Sequence, residues 1–257
     1  MRVQPKPIIG IGAFLLYVAL VFGLGKAVGP DFTELADSVE NLLWGVYVPV
    51  GAAALGMVVL TTWLGWWRPA IKDRHRAPAW IIIAPLLMVA IAVSNMLGAD
   101  FGMLSTSYLL VLAGGMLLVG LGEELMSRGL LLTAMRGRSN EFLAWLVSTV
   151  LFGVMHIGNF FMGQDLVPTL GQVGLTMIFG TGFYIIRRAT GSLIWAMLLH
   201  ALWDFGSFVN TQAGEQSQAT QLMLAALPIV VIVCLIWAIK GAKERLDAAP
   251  ESAPVTG

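Results

Sequence analysis

The chain has 257 residues, of which 58% are hydrophobic and 12% are charged. Soluble domains contain about 45–50% apolar and 25% charged residues, so this composition excludes an ordinary soluble domain and predicts a protein embedded in lipid. Fifteen lysines and arginines balance fifteen aspartates and glutamates, so there is no excess positive charge to predict binding to nucleic acid.

The first apolar segment has features of a secretory signal, because Arg2 and Lys6 precede it. However, its apolar stretch from Ile8 to Leu24 exceeds the roughly 7–15 residues of a signal core, and no A-x-A cleavage site follows. We therefore expect it to remain as a membrane span. The single cysteine, Cys234, lies in the last apolar segment and excludes an intrachain disulfide.

Apolar segments of about 20 residues, enough to cross a hydrocarbon core about 30 Å thick, recur between short polar breaks. In chain order, the eight predicted spans are Ile8 to Val28, Leu42 to Trp66, Ala79 to Leu97, Tyr108 to Met135, Phe142 to Phe161, Thr169 to Ile186, Ser192 to Phe208 and Gln221 to Ile239. The seventh is short and the fourth long, which indicates tilt, a kink or a partly interfacial position. The predicted fold class is all-α, a polytopic bundle of eight transmembrane helices.

The basic residues alternate cleanly between the two sides of this topology. Thirteen of the fifteen fall on the side of the N-terminus: Arg2, Lys6, Arg68, Lys72, Arg74, Arg76, Arg136, Arg138, Arg187, Arg188, Lys240, Lys243 and Arg245. Because Lys and Arg in short loops concentrate on the cytoplasmic side, both termini are predicted to be cytoplasmic. The pair Arg187 and Arg188 is interpreted as an ordinary topology signal that could also touch anionic headgroups.

The opposite loops are acidic. They carry Asp31, Glu34, Asp37, Glu40, Asp100, Asp165 and Glu215, with Lys26 as their one base. We expect residues 1–246 to form a single transmembrane domain. The segment 247–257 is rich in Ala, Pro and Ser and is predicted to be a disordered cytoplasmic tail.

The fourth span contains three charged residues, Glu123, Glu124 and Arg128. Each charge at the centre of a membrane helix costs about 2.5–3.5 kcal/mol on insertion, so each needs a partner or a purpose. Residues four apart share a helix face, so Arg128 is predicted to neutralise and orient Glu124. Glu123 then points elsewhere and is free to face a cavity. The structural alternative for Glu124 and Arg128 is a salt bridge that locks this helix to a neighbour.

Two of the three histidines also lie within spans, His156 in the fifth and His200 in the seventh, with Asp204 one turn after His200. At 1.5 Å per residue from the cytoplasmic helix ends, Glu123, His156 and His200 lie about 17, 21 and 12 Å deep. These depths predict one buried, hydrated pocket. There a carboxylate can act as general base towards water, while imidazoles position that water or donate to an oxyanion. Alternatively, the histidines could cross-link helices by hydrogen bonds.

Three motifs carry a resemblance to a known family. Residues 123–128 match E-E-x-x-x-R, residues 152–156 match F-x-x-x-H, and residues 200–204 match H-x-x-x-[N/D]. In this order, on the fourth, fifth and seventh of eight helices, they resemble the CPBP family, also called the Abi family. That family comprises CAAX prenyl endopeptidases and bacteriocin-processing enzymes. The resemblance covers about Leu110 to Phe208 and implies a catalytic core at about 107–208.

The resemblance implies an intramembrane endopeptidase in which Glu123 activates the attacking water and His156 helps to hold it. Glu124 and Arg128 would support the site. No H-E-x-x-H motif occurs, and no serine stands in a G-x-S-x-G context, which disfavours a zincin and a serine nucleophile.

By the same resemblance, His200 with Asp204 would stabilise the oxyanion. Asp204 departs from the asparagine of the prenyl-protein endopeptidases, since an ionised carboxylate can only accept hydrogen bonds. It would have to be protonated, to orient His200, or to bind a metal. Many bacterial members are similar to this chain in having Asp, and we expect the protein in a bacterial plasma membrane.

A metal remains the alternative to this glutamate mechanism, because family members have been described both as metalloproteases and as metal-independent proteases. Two imidazoles with a carboxylate make a plausible Zn²⁺ site, here Glu123, His156, His200 and Asp204. We favour no cofactor, because Glu123 would otherwise have to be ligand and base together.

The expected substrate is a membrane-anchored or lipid-modified peptide, and CAAX-like tails belong to this class. The other expected partners are membrane lipids. Two functions from other classes stay open. A proton-coupled transporter also needs buried Glu, His and Asp, although no paired broken helices occur in matching halves of the chain. A non-catalytic membrane scaffold or bacteriocin-immunity factor is the second.

Overall fold

The computed structural model describes residues 1–74 and 76–240, and these ranges are helical without a β-strand. Eight of their helices are long and apolar enough to cross a membrane. They are α1 (Pro7–Val28), α2 (Val39–Leu64), α3 (Ala79–Leu97), α4 (Thr106–Arg136), α5 (Glu141–Phe161), α6 (Leu166–Thr190), α7 (Leu193–Ala213) and α8 (Gln218–Ile239). The all-α prediction of eight spans is confirmed. The predicted domain limit at 246 and the predicted tail 247–257 lie outside the described residues.

Small polar residues mark where several of these helices begin. The hydroxyl of Ser105 accepts a hydrogen bond from the Tyr108 amide at the start of α4, at 3.2 Å. The side chain of Asn140 caps α5 by accepting from the Leu143 amide at 2.9 Å. Such caps satisfy amides that have no partner within the helix, and so they fix the ends of the spans.

The seventh helix is longer than predicted, because it runs for 21 residues to Ala213 rather than ending at Phe208. Its last turns contain several polar side chains, and this composition is typical of a loop. One of them, Asn210, is buried and donates to the backbone oxygen of Asn95 in α3 at 3.2 Å. A polar side chain satisfied by a neighbouring helix is compatible with a continuous span.

Helix α7 packs between α3 and α4, and α4 also contacts α2. Glycines in α4 allow the close approach: a Cβ at Gly120 would lie 3.1 Å from the backbone nitrogen of Ala201. Midway along α4, residues Leu125–Leu131 form a π-helical segment, and all seven are buried. Such segments are frequent at functional sites, and this one follows Glu124 directly and contains Arg128.

A buried ion cluster lies at the end of the bundle where the basic loops meet. The carboxylate of Asp73, in the loop between α2 and α3, accepts hydrogen bonds from Arg136 at 2.9 Å, Arg187 at 2.8 Å and Arg188 at 3.0 Å. The Asp73 side chain is fully buried, and Arg136 also binds Glu141. The expectation that Arg187 and Arg188 could touch anionic headgroups is therefore wrong, because both side chains are buried, while their interpretation as a topology signal stays a prediction. Their charges are buried because Asp73 compensates them.

Burial by itself would raise the pKa of the Asp73 carboxyl, but Arg187, Arg136 and Arg188 outweigh it and hold the pKa below its usual range. A carboxyl with a lowered pKa stabilises the fold above the pKa of the unfolded chain, about 4, and loses this contribution as the pH falls. The cluster therefore makes the protein sensitive to acid.

We expect Asp73→Asn to destabilise the protein by about 3–5 kcal/mol near neutral pH, because it leaves buried guanidinium groups uncompensated. It should also flatten the loss of stability below pH about 4. Thermal unfolding in detergent across a pH series measures both effects. Glu215→Gln, a matched change at an exposed loop carboxylate, should stay within about 0.5 kcal/mol of the parent. Equal unfolding temperatures for the two variants would contradict the role given to Asp73.

Candidate active site

The carboxylate of Glu124 connects α4 to α7 inside the bundle. Its Oε1 accepts a hydrogen bond from Nη1 of Arg128 at 2.8 Å, and both side chains are fully buried. The same oxygen lies 3.1 Å from Nδ1 of His200. Because an ionised carboxylate only accepts, Nδ1 of His200 carries a proton. The predicted pairing of Glu124 with Arg128 is therefore present, and the contact with His200 was not predicted.

The other ring nitrogen of His200 faces two further carboxylates. Its Nε2 lies 3.4 Å from Oδ2 of Asp204 and 3.8 Å from Oε2 of Glu123. The side chain of Glu123 is 13% exposed, and its buried Oε2 has no hydrogen-bond partner among the described residues. The structure thus brings Glu123, His200 and Asp204 together around one nitrogen, although they come from two helices.

His156 lies where the regular part of α5 ends. Its Nδ1 lies 3.0 Å from the backbone oxygen of Phe152, and since a carbonyl only accepts, this nitrogen is the donor. In a neutral ring, Nε2 is then left as an acceptor. The ring of Phe152 meets both imidazoles edge on, with centroids 5.4 Å from His156 and 5.9 Å from His200. Phe152 is therefore the common neighbour of the two histidines.

Helix α6 completes the packing around these groups. The ring of Phe183 stacks on His200, with centroids 4.5 Å apart and an interplanar angle of 16°. The guanidinium carbon of Arg128 lies 3.9 Å from the centroid of the Phe152 ring, which is a cation–π contact. At Gly180, a Cβ would collide with Nη2 of Arg128 and lie 3.0 Å from the Phe152 ring. Phe183 and Gly180 have no ionisable group, so the sequence offered no chemical signal for either.

A cavity of about 510 Å³ extends from these side chains towards one end of the bundle. Its walls are largely apolar, and Glu123, His156, His200 and Asp204 all line it. Glu124 and Arg128 are outside its lining and lie behind it, fully buried. The six predicted site residues therefore divide into four that can meet a substrate and two that can act on it through His200.

Tyr17 in α1 is a polar group at this cavity that the motifs do not contain. The residue is 1% exposed, and its hydroxyl has no hydrogen-bond partner among the described residues. It lines the cavity and interacts electrostatically with Glu123, Glu124 and Asp204. A tyrosine near the middle of an apolar span was the available sequence signal, but nothing in the sequence connects α1 to α4.

The alternative metal site would use Glu123, His156, His200 and Asp204. Within the part of the chain that the structure describes, no group of three or more His, Cys, Asp or Glu side chains is placed so that it could hold a metal ion. Only Nδ1 of each imidazole is engaged, by Glu124 at His200 and by a backbone oxygen at His156. Because histidine ligands commonly donate their second nitrogen in this way, metal independence stays a prediction.

Residues 104–206 match the model of a protein family described as type II CAAX prenyl endopeptidase Rce1-like. This confirms the resemblance to the CPBP family. The match begins just before α4 and ends within α7, so it includes all three motifs. The family implies a protease, and together with the eight apolar helices it identifies an integral, multi-pass membrane protein. No curated protein and no solved structure matches the chain.

We expect Gly180→Ala to lower the stability by about 1–3 kcal/mol, because the added methyl group displaces Arg128 or Phe152 in a close-packed region. Gly174→Ala is the matched control on the same helix, since a Cβ there would meet nothing within 4 Å. Thermal unfolding of the two purified variants makes the comparison. An unfolding temperature for Gly180→Ala as high as that of Gly174→Ala would show that Arg128 is not held as described.

Proposed function

We propose that this protein is an intramembrane endopeptidase that uses a glutamate-activated water to hydrolyse peptide bonds in membrane-associated proteins or peptides, prenylated or CAAX-like tails among them. The observation that carries the proposal is the convergence of Glu123, His200 and Asp204 on a cavity that also contains His156. The family match supports the same class of reaction.

Glu123 is the proposed general base. Its carboxylate takes a proton from a water molecule in the cavity as the water oxygen attacks the scissile carbonyl carbon. When the tetrahedral intermediate collapses, the carbon–nitrogen bond breaks and Glu123 returns the proton to the leaving amine. The products are a carboxyl terminus and an amino terminus. Glu123 is suited to this exchange because the residue lines the cavity and its Oε2 has no hydrogen-bond partner among the described residues.

His156 is the proposed water-positioning group. With Nδ1 donating to the Phe152 carbonyl, Nε2 can accept a hydrogen bond from the attacking water. The edge-on contact with Phe152 restrains the ring, so the acceptor keeps one direction. A positioned water reacts faster because its orientation is fixed before the transition state is reached.

His200 is the proposed oxyanion donor, and Glu124 is its positioning residue. A ring protonated on both nitrogens donates from Nδ1 to Glu124 and from Nε2 into the cavity. Of the three roles considered for Asp204, orienting His200 is best supported, because Oδ2 of Asp204 lies 3.4 Å from Nε2. Arg128 acts through Glu124 by compensating its charge.

We expect Glu123→Gln to reduce the turnover number by about 10²–10⁴-fold while the protein still folds, because the amide keeps the shape but cannot accept the proton. Membrane peptide profiles of cells with the parent or the variant, together with cleavage of quenched fluorogenic peptides by the purified proteins, measure this. Glu40→Gln, at an exposed carboxylate, is the control that should cleave normally. Unchanged peptide profiles, or full complementation by Glu123→Gln, would favour the scaffold or immunity role instead.

We expect peptide cleavage by the purified protein to continue after treatment with a membrane-permeant chelator such as phenanthroline. The reason is that the proposed steps use side chains of this chain and water. The measurement is the cleavage rate before chelation, after chelation and after re-addition of Zn²⁺. Loss of activity that Zn²⁺ restores would replace the glutamate mechanism with a metal-dependent one.

A further inference from the structure

The largely apolar cavity wall contains a pair of carboxamides that the proposed reaction does not use. Asn159, in the last turn of α5, is buried and donates from Nδ2 to Oε1 of Gln172 in α6 at 2.9 Å. Both residues line the cavity, and the backbone amide of Asn159 donates to the backbone oxygen of His156 at 3.0 Å. The pair is therefore adjacent to the proposed water-positioning group.

The bond between the two carboxamides uses only part of their hydrogen-bonding capacity. A carboxamide carries N–H donors as well as an oxygen acceptor. Oδ1 of Asn159 and Nε2 of Gln172 take no part in the bond, so the pair keeps both an acceptor and a donor. Gln164, which also lines the cavity, accepts with Oε1 from Thr169 at 2.9 Å and keeps its own N–H groups.

The hydroxyl groups of Thr176 and Ser207, which line the same cavity, are satisfied within their own helices. Thr176 donates to the backbone oxygen of Gln172 at 2.8 Å, and Ser207 donates to the backbone oxygen of Trp203 at 2.9 Å. The carboxamides differ from them because they offer N–H and C=O groups side by side to a molecule in the cavity.

A peptide substrate brings backbone polar groups into this apolar cavity. An extended segment carries N–H and C=O groups along its length, and leaving them unpaired away from water is unfavourable. Extended peptides commonly satisfy them by pairing with the edge of a sheet. The described ranges contain no β-strand, and helices use their backbone groups internally. The partners of a bound peptide are therefore side chains.

We propose, building on the proposed function, that Asn159 and Gln172 form a subsite that binds the backbone of an extended peptide. Oδ1 of Asn159 accepts a hydrogen bond from a peptide N–H, and Nε2 of Gln172 donates to a peptide C=O. Together they offer what a neighbouring strand would offer. A lipid chain would leave both carboxamides unpaired, so this part of the cavity selects peptide, while the apolar walls hold its side chains.

Binding to an inactive protein tests the subsite independently of hydrolysis. The probe is a fluorescein-labelled apolar peptide, titrated against Glu123→Gln protein in detergent and followed by fluorescence anisotropy. Adding Gln172→Met, which keeps the length of the side chain, should raise the dissociation constant about tenfold. Adding Gln221→Met, at an exposed position of α8 outside the cavity lining, should leave it unchanged. Equal dissociation constants for these two proteins would overturn the proposal.

Backbone esters distinguish a peptide subsite from a mere cross-link between α5 and α6. Replacing one amide of the probe by an ester removes a single N–H donor. At one position of the probe, the ester should weaken binding about tenfold when Asn159 is present and have no effect on Asn159→Leu protein, which lacks the acceptor. Ester effects that are the same in both proteins at every position would overturn the proposal. If Asn159→Leu does not fold, Gln172→Met, which removes the group that orients Asn159, replaces it in this comparison.

Kinetics separate the subsite from the proposed function. In the active protein, Gln172→Met should raise KM for a quenched fluorogenic peptide about tenfold and change kcat much less, because the subsite binds the ground state and the transition state alike. A lower kcat at unchanged KM would overturn the proposal. If the parent cleaves no peptide although the ester effect depends on Asn159, the proposed function fails and the subsite stands. Cleavage without that dependence rejects the subsite alone.

Discussion

One buried carboxylate determines the geometry of the candidate site. Glu124 has no exposed side-chain surface, so its charge must be compensated inside the bundle, and Arg128 and His200 do this from two directions. The contact with His200 joins α4 to α7 and fixes which nitrogen of the ring points into the cavity. Asp204 and Glu123 then meet that nitrogen. Without Glu124, Arg128 would be an isolated buried charge and the ring would have no fixed orientation.

Further hydrogen bonds and ion pairs connect the site to the surface of the bundle. The carbonyl of Arg128, within the π-helical segment, accepts a hydrogen bond from Arg187, and Arg187 binds the carboxylate of Asp73 and the backbone oxygen of Pro69. Polar groups inside a membrane protein have to satisfy one another. Here they form a continuous chain that holds α4, α6 and the α2–α3 loop together behind the reacting groups.

Sequence periodicity was sufficient for the contacts that lie within one helix. Hydropathy predicted eight spans, and spacing by four residues predicted the pairing of Glu124 with Arg128, because both depend on local geometry. Contacts between distant segments left no such pattern. Arg187 and Asp73 are 114 residues apart in the chain, and the arginine pair had the composition of an ordinary cytoplasmic loop.

The missed members of the site illustrate the same limit. Phe183 stacks on a histidine and Tyr17 lines the cavity, yet each is a common residue in an apolar helix. Hydropathy predicts that a helix crosses the membrane but does not predict which of its faces packs against which neighbouring helix. The motifs located the ionisable groups, whereas the aromatic side chains that hold them required coordinates.

One end of the bundle is sealed by buried ion pairs, whereas the cavity extends towards the other end. Both properties depend on where charged side chains can be buried. At the sealed end, Asp73 allows three arginines to pack without solvent, which seals the bundle behind Arg128. At the other end, the sequence supplies a single base, Lys26, among several acidic residues, and the lining of the cavity extends to the α1–α2 loop. A base placed at the inner limit of an apolar cavity meets a substrate whose apolar side chains are already buried, so the energy of that burial can hold the scissile bond near the attacking water.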